Sequence, residues 1–228
     1  MKNLLQKFPC AWQALLLLFA CLVLMFFLGI ASAIISFIVT AVFPIARYHS
    51  FFSLFINAAL MAMAFCPLCA IIFYYTEFPV AKAFRPKALQ PAMILAMMVY
   101  VIGSSIVISD IDNLTRWLFA PPDFLKRLFE SIFSSRCGSF ILMVIAAPLV
   151  EELLFRGVIL DGFLKHYSKR NAILLSALLF AIYHINPYQF VGAFVGGIVL
   201  AWIYTGTGSL LLCMLLHAML NFAAWSCK

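Results

Sequence analysis

Charge is what this sequence has least of. Only 10% of its 228 residues are Asp, Glu, Lys or Arg, and no more than eight are acidic. A soluble domain carries about 25% charged residues, so this chain has too little polar surface to cover a globule in water. That excludes a soluble enzyme, a disordered tail and a fibrous protein. No sequence repeat, low-complexity tract, zinc-finger spacing or HExxH pair is present. Nor is there a basic stripe with interleaved aromatics, so the net charge of +7 does not read as nucleic-acid binding. Basic loops on the cytoplasmic side of a membrane account for it better.

What the chain has instead is apolar length. Hydrophobic residues make up 66%, 24 of them phenylalanine, and the mean hydropathy is +1.11. About 20 apolar residues cross a bilayer. The chain therefore has room for seven or eight spans and none for a separate soluble domain. The expected fold class is all-α, a polytopic transmembrane helix bundle of seven to eight spans enclosing a polar cavity. It forms one integral membrane domain over 1–228, with N-terminal spans in 1–136 and the chemistry-bearing helices in 138–225. Its compactness points to the plasma membrane of a prokaryote.

The spans read as 11–43, 51–75, 92–109, 138–160 (continuing towards Lys165), 171–185, 188–204 and 210–225. The first is long enough to tilt, or to break near Gly29 or Pro44. Pro67 is expected to kink the second. Between Asp110 and Cys137 lies the longest polar connection. Within it, residues 123–130 pattern as a short amphipathic helix capped by Asp123, suited to the membrane surface or the rim of a cavity. Gly192, Gly196 and Gly197 read as a close-packing surface. Tyr188, Tyr204 and Trp225 read as an interfacial belt. Of the seven cysteines, Cys66 and Cys69 form a CxxC pair, but inside a span they read as packing residues rather than a redox motif.

Loop charges favour a cytoplasmic N-terminus. Lys2, Lys7, Lys82, Arg85, Lys87, Lys165, Lys169 and Arg170 fall on that side, against Arg47, Arg116, Lys126, Arg127, Arg136 and Lys228 on the other.

The informative residues are ionisable groups in the wrong solvent. Each costs at least about 2.5–3.5 kcal/mol at the centre of a span and is a functional candidate by default. The fourth span carries Glu151, Glu152 and Arg156. Glu152 and Arg156 are one turn apart and share a face, so they can pair. Glu151 points about 100° away and is left free of that pair. Pro148 strains the turn before it and can open space beside Glu151. The fifth span places Phe180 and His184 on one face, and the seventh does the same with His217 and Asn221. Three helices can thus offer polar groups to a common cavity. The chemistry such a set permits is hydrolysis. A carboxylate takes a proton from water, an imidazole positions that water, and a second imidazole with a carboxamide donates to the oxyanion. Two alternatives stand beside it. Two His and a Glu are ligand types of catalytic zinc sites, although here they lie on three different helices. Glu–Arg and His–Asn pairs can also simply hold helices together.

Glu-Glu-x-x-x-Arg at 151–156, Phe-x-x-x-His at 180–184 and His-x-x-x-Asn at 217–221 resemble the three motifs of the CAAX protease and bacteriocin-processing family, also called Abi. Its best understood enzymes are type II CAAX prenyl endopeptidases. The resemblance spans about 138–225, and Asn186-Pro187 after the second motif is also similar. It implies an intramembrane endopeptidase of the glutamate type, with no cofactor and no obligatory metal. Glu151 and His184 are then expected to activate water, and His217 and Asn221 to stabilise the oxyanion. Glu152 and Arg156 are expected to support them, and access is expected from the cytoplasm. The implied partners are membrane lipid and a peptide or protein substrate, lipidated or not, with no nucleic acid. The family also contains non-enzymatic immunity and scaffold proteins, which is the alternative reading. A transporter, for which no repeated half is visible, is a third.

Overall fold

The computed structural model describes residues 8–42, 49–84 and 90–227. Pro44 and the charges at Lys2, Lys7, Arg47, Arg85, Lys87 and Lys228 lie outside the described residues, as does the side chain of Lys82. The described chain is helical, without a strand. Eight helices carry it: α1 Ala11–Val42, α2 His49–Thr76, α3 Pro91–Leu118, α4 Asp123–Phe133, α5 Arg136–Leu164, α6 Lys169–Tyr183, α7 Pro187–Thr207 and α8 Leu210–Ser226, with a single turn at Val80–Ala83.

Five of these, α1, α2, α3, α5 and α7, are long and apolar enough to cross a membrane. Long apolar helices with exposed Phe19, Phe26, Phe37, Met63, Tyr74, Val99 and Ile102 mark an integral membrane protein. Of the expected seven to eight spans, five meet that measure of length and composition among the described residues. Helices α6 and α8 form where spans five and seven were expected, but they have 15 and 17 residues. At 1.5 Å per residue α6 rises about 22 Å, short of a hydrocarbon core of about 30 Å. One side of α6 is buried, at Ala172, Ile173, Ser176, Ala177, Leu179, Phe180 and Ala181, while Leu174, Leu178 and Ile182 form an exposed apolar stripe.

Several boundaries also differ. α1 is unbroken at Gly29, which leaves tilt as the way its length is taken up, and α2 carries Pro67 inside one continuous helix. α3 runs nine residues past the expected end at 109, because Asp112 and Arg116 pair one turn apart at 2.8 Å and keep the polar end helical. α4 forms as the amphipathic pattern requires, but Pro122 occupies its N-cap, and Asp123 sits in the first turn paired with Lys126 at 3.0 Å. Its Phe124 and Leu128 stay exposed.

Gly196 does not pack as expected, since a Cβ there would meet nothing within 4 Å. Gly192 and Gly197 make the close approaches, to Ile108 and to Ala177. Tyr204 is buried rather than interfacial. Tyr188 donates its hydroxyl to the Phe119 carbonyl at 3.0 Å, and Trp225 donates its indole N–H to Ser139 Oγ at 3.0 Å. All seven cysteines are free thiols.

The helices alternate direction, so the connections collect at two ends. At one end Pro9 packs on Gly162, and Tyr167 receives the Ala11 N–H on its hydroxyl at 3.2 Å. At the other lie the α3–α4 connection, the α6–α7 turn tied to it by Tyr188, and Trp225 under Arg136.

Candidate active site

α5 is the helix on which the site is built, and it is not a uniform α-helix. Two stretches, Ile141–Ala146 and Leu153–Leu160, are wound in wide π-type turns, and they flank a short α segment, Ala147–Glu152. Pro148 opens that segment. Its ring has no N–H to give the preceding turn and would clash with the carbonyl four residues back. A π-turn relieves that clash by letting the chain widen. The expected disturbance at Pro148 is therefore a change of winding that brackets Glu151 and Glu152.

The two glutamates meet different surroundings. Glu152 is fully buried, and its Oε1 accepts from Arg156 Nη1 at 2.9 Å. Arg156, also fully buried, reaches across with Nη2 to the Gly197 carbonyl of α7 at 3.1 Å. Its guanidinium lies 4.6 Å from the centre of the Phe180 ring, a desolvated cation–π contact. The same Glu152 Oε1 stands 2.8 Å from His217 Nδ1 on α8. Glu151 is excluded from the Arg156 pair, as its angle on the helix requires. Its side chain is 18% exposed, and its Oε2 lies 3.8 Å from His217 Nε2. That distance is too long for a hydrogen bond, and among the described residues this oxygen has no hydrogen-bond partner.

Helix length sets the height of His184. α5 and α6 are antiparallel neighbours joined at 165–168, and Arg156 on α5 faces Phe180 on α6. One turn back along α5 is Glu152, and one turn on along α6 is His184, so the early end of α6 brings His184 level with the glutamates. His184 caps α6, and Ile185 follows at φ 48°. Asn186 then caps α7 by accepting from the Tyr188 N–H at 3.1 Å. His184 Nδ1 bonds the Phe180 carbonyl at 2.8 Å. A carbonyl only accepts, so Nδ1 carries the hydrogen, and in the neutral ring Nε2 has the lone pair. Asn221, one turn past His217, donates Nδ2 to the Met143 carbonyl in the first π-wound stretch at 2.8 Å.

His217 and Asn221 thus both reach α5, while His184 makes its hydrogen bond within its own helix. What joins the three motifs is Phe180. Its ring meets His184 at 4.8 Å and His217 at 5.6 Å, both edge to face, and carries Arg156 on its face. The sequence pointed to Phe180 only as the neighbour of His184. Gly197 and Met143 act through backbone carbonyls, which no side-chain pattern announces. Among the described residues no three His, Cys, Asp or Glu side chains are arranged to hold a metal ion. Hollows of about 470 and 540 Å³ open elsewhere, lined by Lys169, Arg170 and Ile173 and by Cys66, Phe73 and Leu153 among others. Neither is lined by any of the six candidate residues.

One sealed ion pair and, 3.8 Å from the His217 ring, a carboxylate oxygen without a hydrogen-bond partner among the described residues thus lie together on membrane helices. Residues 133–223 match the family model described as type II CAAX prenyl endopeptidase Rce1-like, a family of proteases, so this segment carries an Rce1-like domain. No curated protein and no solved structure matches the chain.

Proposed function

We propose that the chain is a membrane endopeptidase of the CAAX-protease type, one integral membrane domain in which Glu151 is the base that activates water. The observation that carries this reading is the division between adjacent glutamates. Glu152 is sealed and held on Oε1 by Arg156 and His217, while Glu151 is part exposed, stays outside the Arg156 pair and has its Oε2 3.8 Å from His217 Nε2. His184, with Nε2 left as the accepting nitrogen, assists in holding the water. His217 and Asn221 serve the oxyanion. Asn221 already spends one N–H on Met143 and keeps a second for the substrate. Arg156 and Glu152 hold the frame. The substrate is a peptide or protein, and a lipid-modified one suits a site set between membrane helices.

The test is cleavage of a mixture of prenylated and unmodified peptides by purified protein, read by mass spectrometry. A product made by wild type is expected to fall about 10²–10⁴-fold in Glu151→Gln, the usual worth of a general base. Turnover unchanged in Glu151→Gln, with the protein folded, would sink the mechanism.

A further inference from the structure

α6 begins with Lys169 and Arg170, and both are exposed. Neither meets a carboxylate among the described residues. Lys165 nearby differs, because Asp161 holds it at 2.7 Å. So do Arg116 and Lys126 at the far end, each paired with an aspartate about one turn away. Lys169 and Arg170 instead line the hollow of about 470 Å³ on the outer side of the α6–α7 contact. Its other walls are aliphatic, Ile173 and Leu174 from α6 and Ile198 from α7. From Leu174 the apolar surface continues along α6 through Leu178 and Ile182, which are 38%, 39% and 53% exposed in that order. These three stand one turn apart on one face, a track of about 12 Å. Ile198 precedes the end of α7 at Thr207 by nine residues, so the hollow is set back about 13 Å from the end of a helix long enough to cross the membrane.

Two neighbouring cations without a counter-charge thus stand at the head of an apolar track. A small soluble anion would neutralise them and leave the aliphatic wall bare. A hydrocarbon chain would cover the wall and leave the charges unmatched. A molecule that carries both a phosphate and an acyl chain does both. We infer that this hollow holds the headgroup phosphate of an anionic phospholipid, with one acyl chain lying along Leu174, Leu178 and Ile182. Basic hollows between membrane helices suit such headgroups, and the guanidinium of Arg170 is a fork matched to phosphate oxygens. Such a site requires the membrane setting, not the protease reading. It does touch the frame of the polar cluster. Ile198 follows Gly197, which approaches Ala177 closely and receives Arg156 on its carbonyl. A lipid seated across Ile173 and Ile198 therefore clamps the α6–α7 contact from outside, and its binding stabilises the folded bundle by mass action.

Native mass spectrometry tests this on the full-length protein, released from detergent that contains equal amounts of phosphatidylglycerol and phosphatidylcholine. Wild type is expected to retain phosphatidylglycerol in preference. The double variant Lys169→Gln with Arg170→Gln is expected to lose about thirty-fold in that preference, at about 1 kcal/mol for each basic residue near the headgroup. Lys165→Gln removes a charge at the same end but outside the hollow, and is expected to keep the preference. Excess inorganic phosphate is expected to leave the bound lipid in place. In thermal unfolding, added phosphatidylglycerol is expected to raise the midpoint of wild type more than that of the double variant. Both replaced side chains are exposed, so the variants are expected to fold. No preference in wild type overturns the inference, as does a preference unchanged in the double variant. An equal loss in Lys165→Gln overturns it too, by showing diffuse attraction to a basic end. Displacement by inorganic phosphate overturns the lipid as occupant, since the apolar track would then hold nothing.

Discussion

Arg156 is the residue on which the buried site depends most. It neutralises Glu152, closes onto the Gly197 carbonyl and caps the Phe180 ring, all without access to solvent. Arg156→Met leaves a sealed carboxylate without a counter-charge, which costs about 3–5 kcal/mol. The double variant Glu152→Leu with Arg156→Met removes both charges. It leaves the His217 ring and one carbonyl without partners, and a neutral orphan costs about 1–3 kcal/mol. Thermal unfolding in detergent is therefore expected to rank wild type above the double variant and the double variant above Arg156→Met. A single variant as stable as wild type would mean that the pair is not sealed.

At the scale of elements, α5 is held where glycine allows neighbours to touch it. A Cβ on Gly157 would lie 2.5 Å from Phe73 Cζ and 2.9 Å from its Cε1. Phe73 is buried and stacked on Phe78 at 4.2 Å, so the ring has little room to move aside. Gly157→Ala is expected to destabilise the bundle by about 1–3 kcal/mol through overpacking. Gly196 on α7 is the control, since its Cβ would meet nothing. Gly196→Ala is expected to be neutral or to gain about 0.5–1 kcal/mol from helix propensity. Unfolding midpoints measured side by side decide between them, and a reversed order refutes the packing account. These two glycines look alike in the sequence. Their difference arises because packing sets Gly157 against the Phe73 ring of α2 and leaves Gly196 facing no neighbour, which spacing along one helix does not announce.

For the molecule as a whole, alternating helices divide the connections between two ends. Cys137 and Cys227 are both exposed and lie close to Trp225, which Arg136 covers at 5.8 Å and which bonds Ser139. Lys169 is at the opposite end, beside the α5–α6 connection. In sealed vesicles of one orientation, an impermeant maleimide is expected to label Cys137 and Cys227 from the same side. Lys169→Cys is expected to label from the other. Labelling of Cys137 and Cys227 from opposite sides would break the arrangement.

The sequence by itself determined the helical class, the membrane solvent, the approximate place of each helix and the six polar residues of the three motifs. Those follow from composition and from intervals along one helix, which are local quantities. It also separated Glu151 from the Glu152–Arg156 pair, because an angle of about 100° between neighbours is local too. Only the tertiary structure decided that α6 ends after 15 residues, that Phe180 joins the motifs, and that the Gly197 and Met143 carbonyls receive Arg156 and Asn221. It also decided that one oxygen of Glu152 binds both Arg156 and His217. The physical reason is that a buried charge takes whatever partner the packing brings within reach, and here that partner is 65 residues away in the chain.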